Sequence, residues 1–174
     1  MSRSLPVGNL ADVATEWLTP EQQRAWRAYL LGTTLLMDRL DRDLRTHHDL
    51  SLPEYEILVR LSESETRALR MAELADSVKN SRSRITHTIA RLERAGLVER
   101  RQFASDGRGV IAHLTDKGMT KLVEAAPGHV QSVRAALIDQ VEPEDLVALG
   151  RAFAAVAEVL ESGAPDPLLS PRSA

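Results

Sequence analysis

Apolar residues recur at helical spacing over most of this chain, and the breaks in that rhythm are chemically marked. Thr19-Pro20-Glu21-Gln22 predicts a helix start, with a Thr cap, Pro at the first helical position and Gln at the third. Trp26, Leu30, Met37, Leu40 and Leu44 carry one side of that helix to about His48. Such a span exceeds what one small core needs, and an apolar stripe of that length commonly continues into a partner chain. Upstream, residues 1–18 contain Pro6 and Gly8 and little periodicity, so they read as a flexible segment in which Trp17-Leu18 folds back onto a neighbour. Ser51 precedes Pro53, and Tyr55, Ile57, Leu58 and Leu61 give a second helix from Pro53 to Glu63. Ala68-Leu69-Arg70 reads as a short extended link, Met71–Val78 as a third helix with Leu74 and Val78 inward, and Lys79-Asn80 as a turn.

From Ser81 the pattern is denser in polar groups. Ile85, Ile89 and Leu92 keep the helical period, while Ser81, Arg82, Arg84, Thr86, His87 and Arg91 occupy the face between them, and Gly96 ends the helix. LVERRQF and VIAHLT predict two strands joined by Ser105-Asp106-Gly107-Arg108-Gly109. Two helices across a tight turn, the second rich in surface hydrogen-bonding groups, followed by a hairpin, form a winged helix-turn-helix pattern. Thr115-Asp116-Lys117-Gly118 caps the next helix, expected to reach about Gln140 with a kink at Pro127, because Val130, Val133, Leu137 and Ile138 resume the period. Glu142-Pro143-Glu144 starts a last helix with Leu146, Leu149, Phe153, Val156, Val159 and Leu160 inward, and residues 163–174 read as a disordered tail. The fold class is therefore mainly α with a small β-hairpin wing, a winged helix-turn-helix domain plus a helical dimerisation region.

Composition narrows the classes. Hydrophobic residues at 43% and charged residues at 27% suit one soluble domain. No apolar run is long enough to span a membrane, and the start lacks a secretory pattern, so a cytoplasmic protein is expected. Cysteine is absent, which removes disulfides, zinc–thiolate sites and thiol redox sensing. The net charge of −3 conceals a segregation: eight basic and three acidic residues give the Lys79–Arg108 segment +5 and leave −8 for the remainder. A local field of that sign, on a helix the major groove can admit, attracts double-stranded DNA.

The candidate DNA-contacting set is Ser81, Arg82, Ser83, Arg84, Thr86, His87, Arg91, Arg101, Asp106 and Arg108. Ser81, Ser83 and Thr86 can bond phosphates or base edges, and Arg84 is the best candidate for two parallel hydrogen bonds to guanine. Arg108, in a glycine-flanked tip, suits the minor groove, with Asp106 aiming an arginine or forming the turn. His47 and His48 are adjacent on a helix and point apart, so they read as favourable charges near a helix C-terminus rather than a metal site. No nucleophile–base spacing, phosphate loop, metal triad or cofactor motif marks an enzyme.

The segments MAELADSV and SRSRITHTIARLERAGLVERR, the tip DGRG with its Asp106-x-Arg108-Gly109 signature, and the sequel LTDKG together resemble the MarR family of bacterial transcriptional regulators, in correspondence from about Thr19 to Leu160. The resemblance implies a symmetric dimer held by the first and last two helices, with residues 19–50 and 116–162 as dimerisation helices around a DNA-binding region at 51–115. It also implies a repressor or activator, most simply a repressor released when a small organic ligand fills a cleft between those parts. Trp26, Tyr29 and Tyr55 would line a pocket for a planar aromatic effector or else only pack in the core or dimer. The chain departs from peroxide-sensing relatives in having no cysteine, and Met71 is a poor cap for the third helix. The alternatives are a winged helix used for protein contact, or a regulator without a small-molecule ligand.

Overall fold

Thr19 and Gln22 cap each other: the Thr19 hydroxyl accepts the Gln22 N–H at 3.2 Å, and the Gln22 carboxamide oxygen accepts the Thr19 N–H at 2.8 Å. This reciprocal cap opens α1, Pro20–His48. The structure, a computed structural model, describes residues 16–79, 81–102 and 109–162, the Arg82 side chain excepted. The expected flexible start (through residue 15), the turn residue Asn80, the hairpin tip with Asp106 and Arg108, and the expected tail lie outside the described residues. The chain divides into two compact units, Met1–Leu35 and Leu36–Ala174.

In the first unit, Trp26 and Tyr29 stack with ring centroids 5.5 Å apart, and Leu30, Leu31 and Leu35 are exposed beside them in sequence. Trp17 is 81% exposed, so the expected folding-back of Trp17-Leu18 does not occur.

The second unit holds the core. Ser51 caps α2, Leu52–Glu63, as the Ser-x-x-Glu spacing allows. Ala68–Arg70 is more than a link. It forms β1, the outer strand of a three-stranded antiparallel sheet ordered β1-β3-β2. β2 is Val98–Gln102 and β3 is Val110–Leu114, paired from Val98 opposite Leu114 to Gln102 opposite Val110. Short helix α3, Met71–Ser77, lacks a side-chain cap from Arg70; instead the Glu73 carboxylate reaches back to the Arg70 N–H at 3.1 Å. Leu74 is fully buried as expected, whereas Val78 is only half-buried.

Helix α4, Arg82–Arg94, is capped by Ser81 and buries Ile85, Ile89 and Leu92 against Leu44, Ile57, Leu58, Leu61 and Leu74. It ends through Gly96, whose φ of 72° lets the Leu97 N–H bond the Leu92 carbonyl and the Gly96 N–H bond the Glu93 carbonyl. Helix α5, Asp116–Ala136, runs through Pro127 without stopping, yet ends short of the expected Gln140. Leu137 leaves helical geometry and a 3-10 turn, Ile138–Gln140, follows. Helix α6, Pro143–Glu161, buries none of its residues. Phe153, Val156, Val159 and Leu160, expected inward, are exposed among the described residues, because an apolar stripe fixes which face is hydrophobic but not what buries it.

Candidate nucleic-acid interface

The buried stripe of α4 fixes which residues its outer face presents. With Ile85 and Ile89 inward, Ser83, Arg84, Thr86 and His87 fall on the exposed side. Among the described residues, no ion pair engages the Arg84 guanidinium, whereas most nearby cations are committed. Arg100 grips Glu93 through Nε at 3.0 Å and Nη2 at 2.5 Å, which holds the Glu93 carboxyl below its usual range. Arg101 pairs with Glu99 on its own strand at 2.8 Å, and Lys79 with Glu161 at 3.1 Å. All three pairs are exposed and exchange readily with a competing phosphate. Ser81 also has a structural duty, since its hydroxyl accepts the Arg84 N–H at 3.3 Å. Its O–H remains a donor.

Arg91 differs from the others. Its Nε lies 2.8 Å from Oε1 of Glu54, a carboxylate only 3% exposed, so this cation is turned back toward α2. Sequence reasoning placed Arg91 with the groove-facing set and passed over Glu54, although the Ser51-x-x-Glu54 capping spacing was there to read. Asp106 and Arg108 lie in the tip outside the described residues, and the strands that lead to it pair up to Gln102 and Val110.

The base of the wing is locked to α5. The Thr115 hydroxyl donates to the Gly96 carbonyl at 2.8 Å, Lys117 Nζ donates to the Ala95 carbonyl at 2.7 Å, and the Thr115 N–H bonds Leu97 O. Gly118 fits against the Leu97 carbonyl so closely that a Cβ there would sit 2.1 Å from that oxygen. The sequence Leu-Thr-Asp-Lys-Gly thus fixes the hairpin to the end of the outward-facing helix.

The aromatic candidates separate. Trp26 and Tyr29 stack on each other in the first unit. Tyr55 is 8% exposed, its ring 4.4 Å from His129, and burial pushes its hydroxyl pKa up. His129, which spacing did not single out, lies beside two cavities of about 460 and 420 Å³. Met37, Leu52, Tyr55 and Val59 help line the larger, and Arg39, Asp43, His47 and His48 the smaller. Nδ1 of His129 is buried without a partner among the described residues, and burial lowers its pKa. His47 and His48 do come to one cavity, but their rings are 6.5 Å apart and His47 Nδ1 is engaged by the Asp43 carbonyl at 2.8 Å.

A capped helix with a polar outer face, packed on a shorter helix and followed by a paired hairpin, defines a winged helix-turn-helix protein. The MarR family model matches residues 50–110. AbsC of Streptomyces coelicolor, a MarR family transcriptional regulator, is 44% identical over 85% of this chain and 99% of its own, with a TM-score of 0.81. Sco3205 of the same organism, solved in complex with DNA, is 47% identical over 83% of this chain and 94% of its own, also with a TM-score of 0.81. The transcriptional repressor YetL of Bacillus subtilis (strain 168) is 30% identical over 95 residues, 55% of this chain and 57% of YetL. The chain belongs to the MarR family and is a transcriptional regulator, not an enzyme. Among the described residues, no helix is long and apolar enough to cross a membrane.

Proposed function

We propose that this protein is a homodimeric, sequence-specific DNA-binding regulator whose α4 helices enter successive major grooves, and that it acts in the cytoplasm as a repressor released by a small organic ligand. The observation that carries the DNA reading is the outer face of α4. Ser83, Arg84 and His87 stand exposed there, on a helix held from behind by Ile85, Ile89 and Leu92. Arg84 is placed for a guanine edge, while Arg82, Arg101 and Arg108 supply charge for the backbone and minor groove. The dimer reading rests on exposed apolar side chains, Trp26, Leu30 and Leu31 on α1 and Phe153, Val156 and Val159 on α6, which a second copy would cover.

The ligand reading rests on the two cavities beside His129, with Tyr55 as the aromatic wall of the larger. Arg60 and Lys79 border the larger and Arg39 the smaller, each paired with an acid (Glu63, Glu161 and Asp43), so an organic acid would bind there by exchanging with those exposed pairs. The test is selection of duplex DNA from a random pool by the purified protein, followed by a screen of small organic acids against the selected site. Recovery of one near-palindromic site, bound by two chains and released by a screened acid, supports the whole reading. Affinity that does not depend on sequence or salt would refute its DNA part.

A further inference from the structure

The exposed face of α4 explains base contact but not how the helix is aimed. Glu54 is an ionisable side chain inside the core, at the third position of α2, and among the described residues its carboxylate is met by donors. Oε2 accepts the Ser51 N–H at 2.8 Å and the Ser51 O–H at 2.7 Å, while Oε1 accepts Arg91 Nε at 2.8 Å. On the preceding helix, Asp41 of α1 accepts the Leu52 N–H at 2.8 Å and Arg45 Nε at 2.6 Å. Burial pushes the Asp41 carboxyl up, but the Arg45 hydrogen bond, the Leu52 N–H and the fields of Arg45 and Arg91 outweigh it and hold it below its usual value. Two acid–arginine pairs thus sit across three helices, Asp41 with Arg45 on α1 and Glu54 of α2 with Arg91 of α4, and the field of Arg91 also reaches Asp41.

We infer that Glu54 is a positioning residue for DNA recognition: through Arg91 it fixes the angle of α4 against the α1–α2 corner, and so sets the spacing at which two α4 helices of a dimer meet their half-sites. This rests on the reading of α4 as the DNA-reading helix of a symmetric dimer. A buried carboxylate left without its cation is costly, so the pair strongly prefers one geometry. The capping bonds to Ser51 need only an acceptor, which a neutral glutamine would also supply, so the charge turned toward Arg91 is more than the cap requires. Arg84 and Arg91 share one helix, so a rotation of α4 about its Arg91 end moves Arg84 relative to the groove while leaving its base chemistry unchanged.

The experiment uses the full-length dimer and three duplexes: the selected site, and the same site with one base pair added to or removed from its centre. For the wild type, each altered spacing should cost roughly tenfold in Kd, comparable to one mismatched pair. Glu54→Gln keeps an acceptor for Ser51 but removes the charge facing Arg91, and Arg91→Met removes the same contact from a half-exposed position that tolerates change. Both should bind the selected site more weakly yet shrink the spacing penalty to about threefold or less, with the base preference inside each half-site unchanged. Arg91→Lys, which keeps the charge, should restore part of the penalty. Equal loss on all three duplexes would mean the pair only stabilises the fold and would overturn the proposal. So would an Arg91→Met variant with a shallower salt slope and an unchanged spacing penalty, since Arg91 would then contact phosphate. If wild-type protein shows no site preference, the DNA reading itself fails, an outcome separate from either.

Discussion

Replacing Gly118 by Ala pits helix propensity against packing, and the two give opposite signs. Gly118 lies in the first turn of α5, and a Gly to Ala change inside a helix ordinarily stabilises by up to about 1 kcal/mol. Here the new Cβ would sit 2.1 Å from the Leu97 carbonyl oxygen and 2.7 Å from Leu114 Cδ1. A relaxed carbon–oxygen contact needs about 3.3 Å, so α5 must retreat by roughly 1 Å or the wing base must open. The obstacle is backbone, which cannot rotate away, and overpacking against a rigid wall costs about 1–3 kcal/mol. Retreat would also stretch the Thr115 and Lys117 bonds that lock the wing to α5. A net loss of about 2 kcal/mol should lower Tm by roughly 4–8 °C for a chain of this size. Circular dichroism melts at fixed protein concentration measure it. Gly96→Ala is the control: its Cβ meets nothing closer than 3.7 Å, but the positive φ should cost about 1 kcal/mol. A Gly118→Ala protein as stable as wild type, or more so, would refute the close-packed junction.

Arg84→Ala should cost roughly 1–3 kcal/mol on the preferred site and relax discrimination at one base position, read by competition with single-base variants of that site. Arg101→Ala should weaken binding evenly across sequences with a salt slope shallower by about 1, so any change in base preference would count against a backbone role. Burial holds the His129 pKa below 6.5, so the unfolded chain takes up a proton first as pH falls. Stability is then fully present above about pH 6.5 and declines below it until the folded-state pKa is passed. Urea midpoints between pH 7.5 and 5.5 should fall in the wild type and fall less in His129→Phe; equal slopes would contradict the burial argument. Phe153→Asp on α6 should shift the protein toward monomer in sedimentation, whereas an unchanged dimer would place the interface elsewhere.

The elements legible in sequence were those specified locally. Thr19-Pro20, Ser51 and Gly96 mark helix ends through chemistry that acts over a few residues, and Ile85, Ile89 and Leu92 fix the buried side of α4 by period alone. What escaped depends on distant partners. Ala68–Arg70 is a strand only because β3 offers it a free edge more than forty residues later. Arg91 has the same helical phase as Arg84, and only the folded position of Glu54 distinguishes a cation paired with a buried acid from one with no ion pair among the described residues. The α6 stripe was visible, but periodicity says that a face is apolar and not which chain covers it. His129 gained meaning from the rings and cavities that folding gathers around it.

On the proposed reading, two α4 helices rigidly related by a twofold axis read one site together. Half-site centres should then lie about one helical turn, roughly 10 base pairs, apart on one face of the duplex. The direct measurement is the Kd for the selected site with about five base pairs inserted at its centre, half a turn. This insertion should turn the half-sites to opposite faces and abolish tight binding, while an insertion of about ten should restore part of it. Unchanged affinity after the half-turn insertion would contradict that reading, because the chains would then be binding independently.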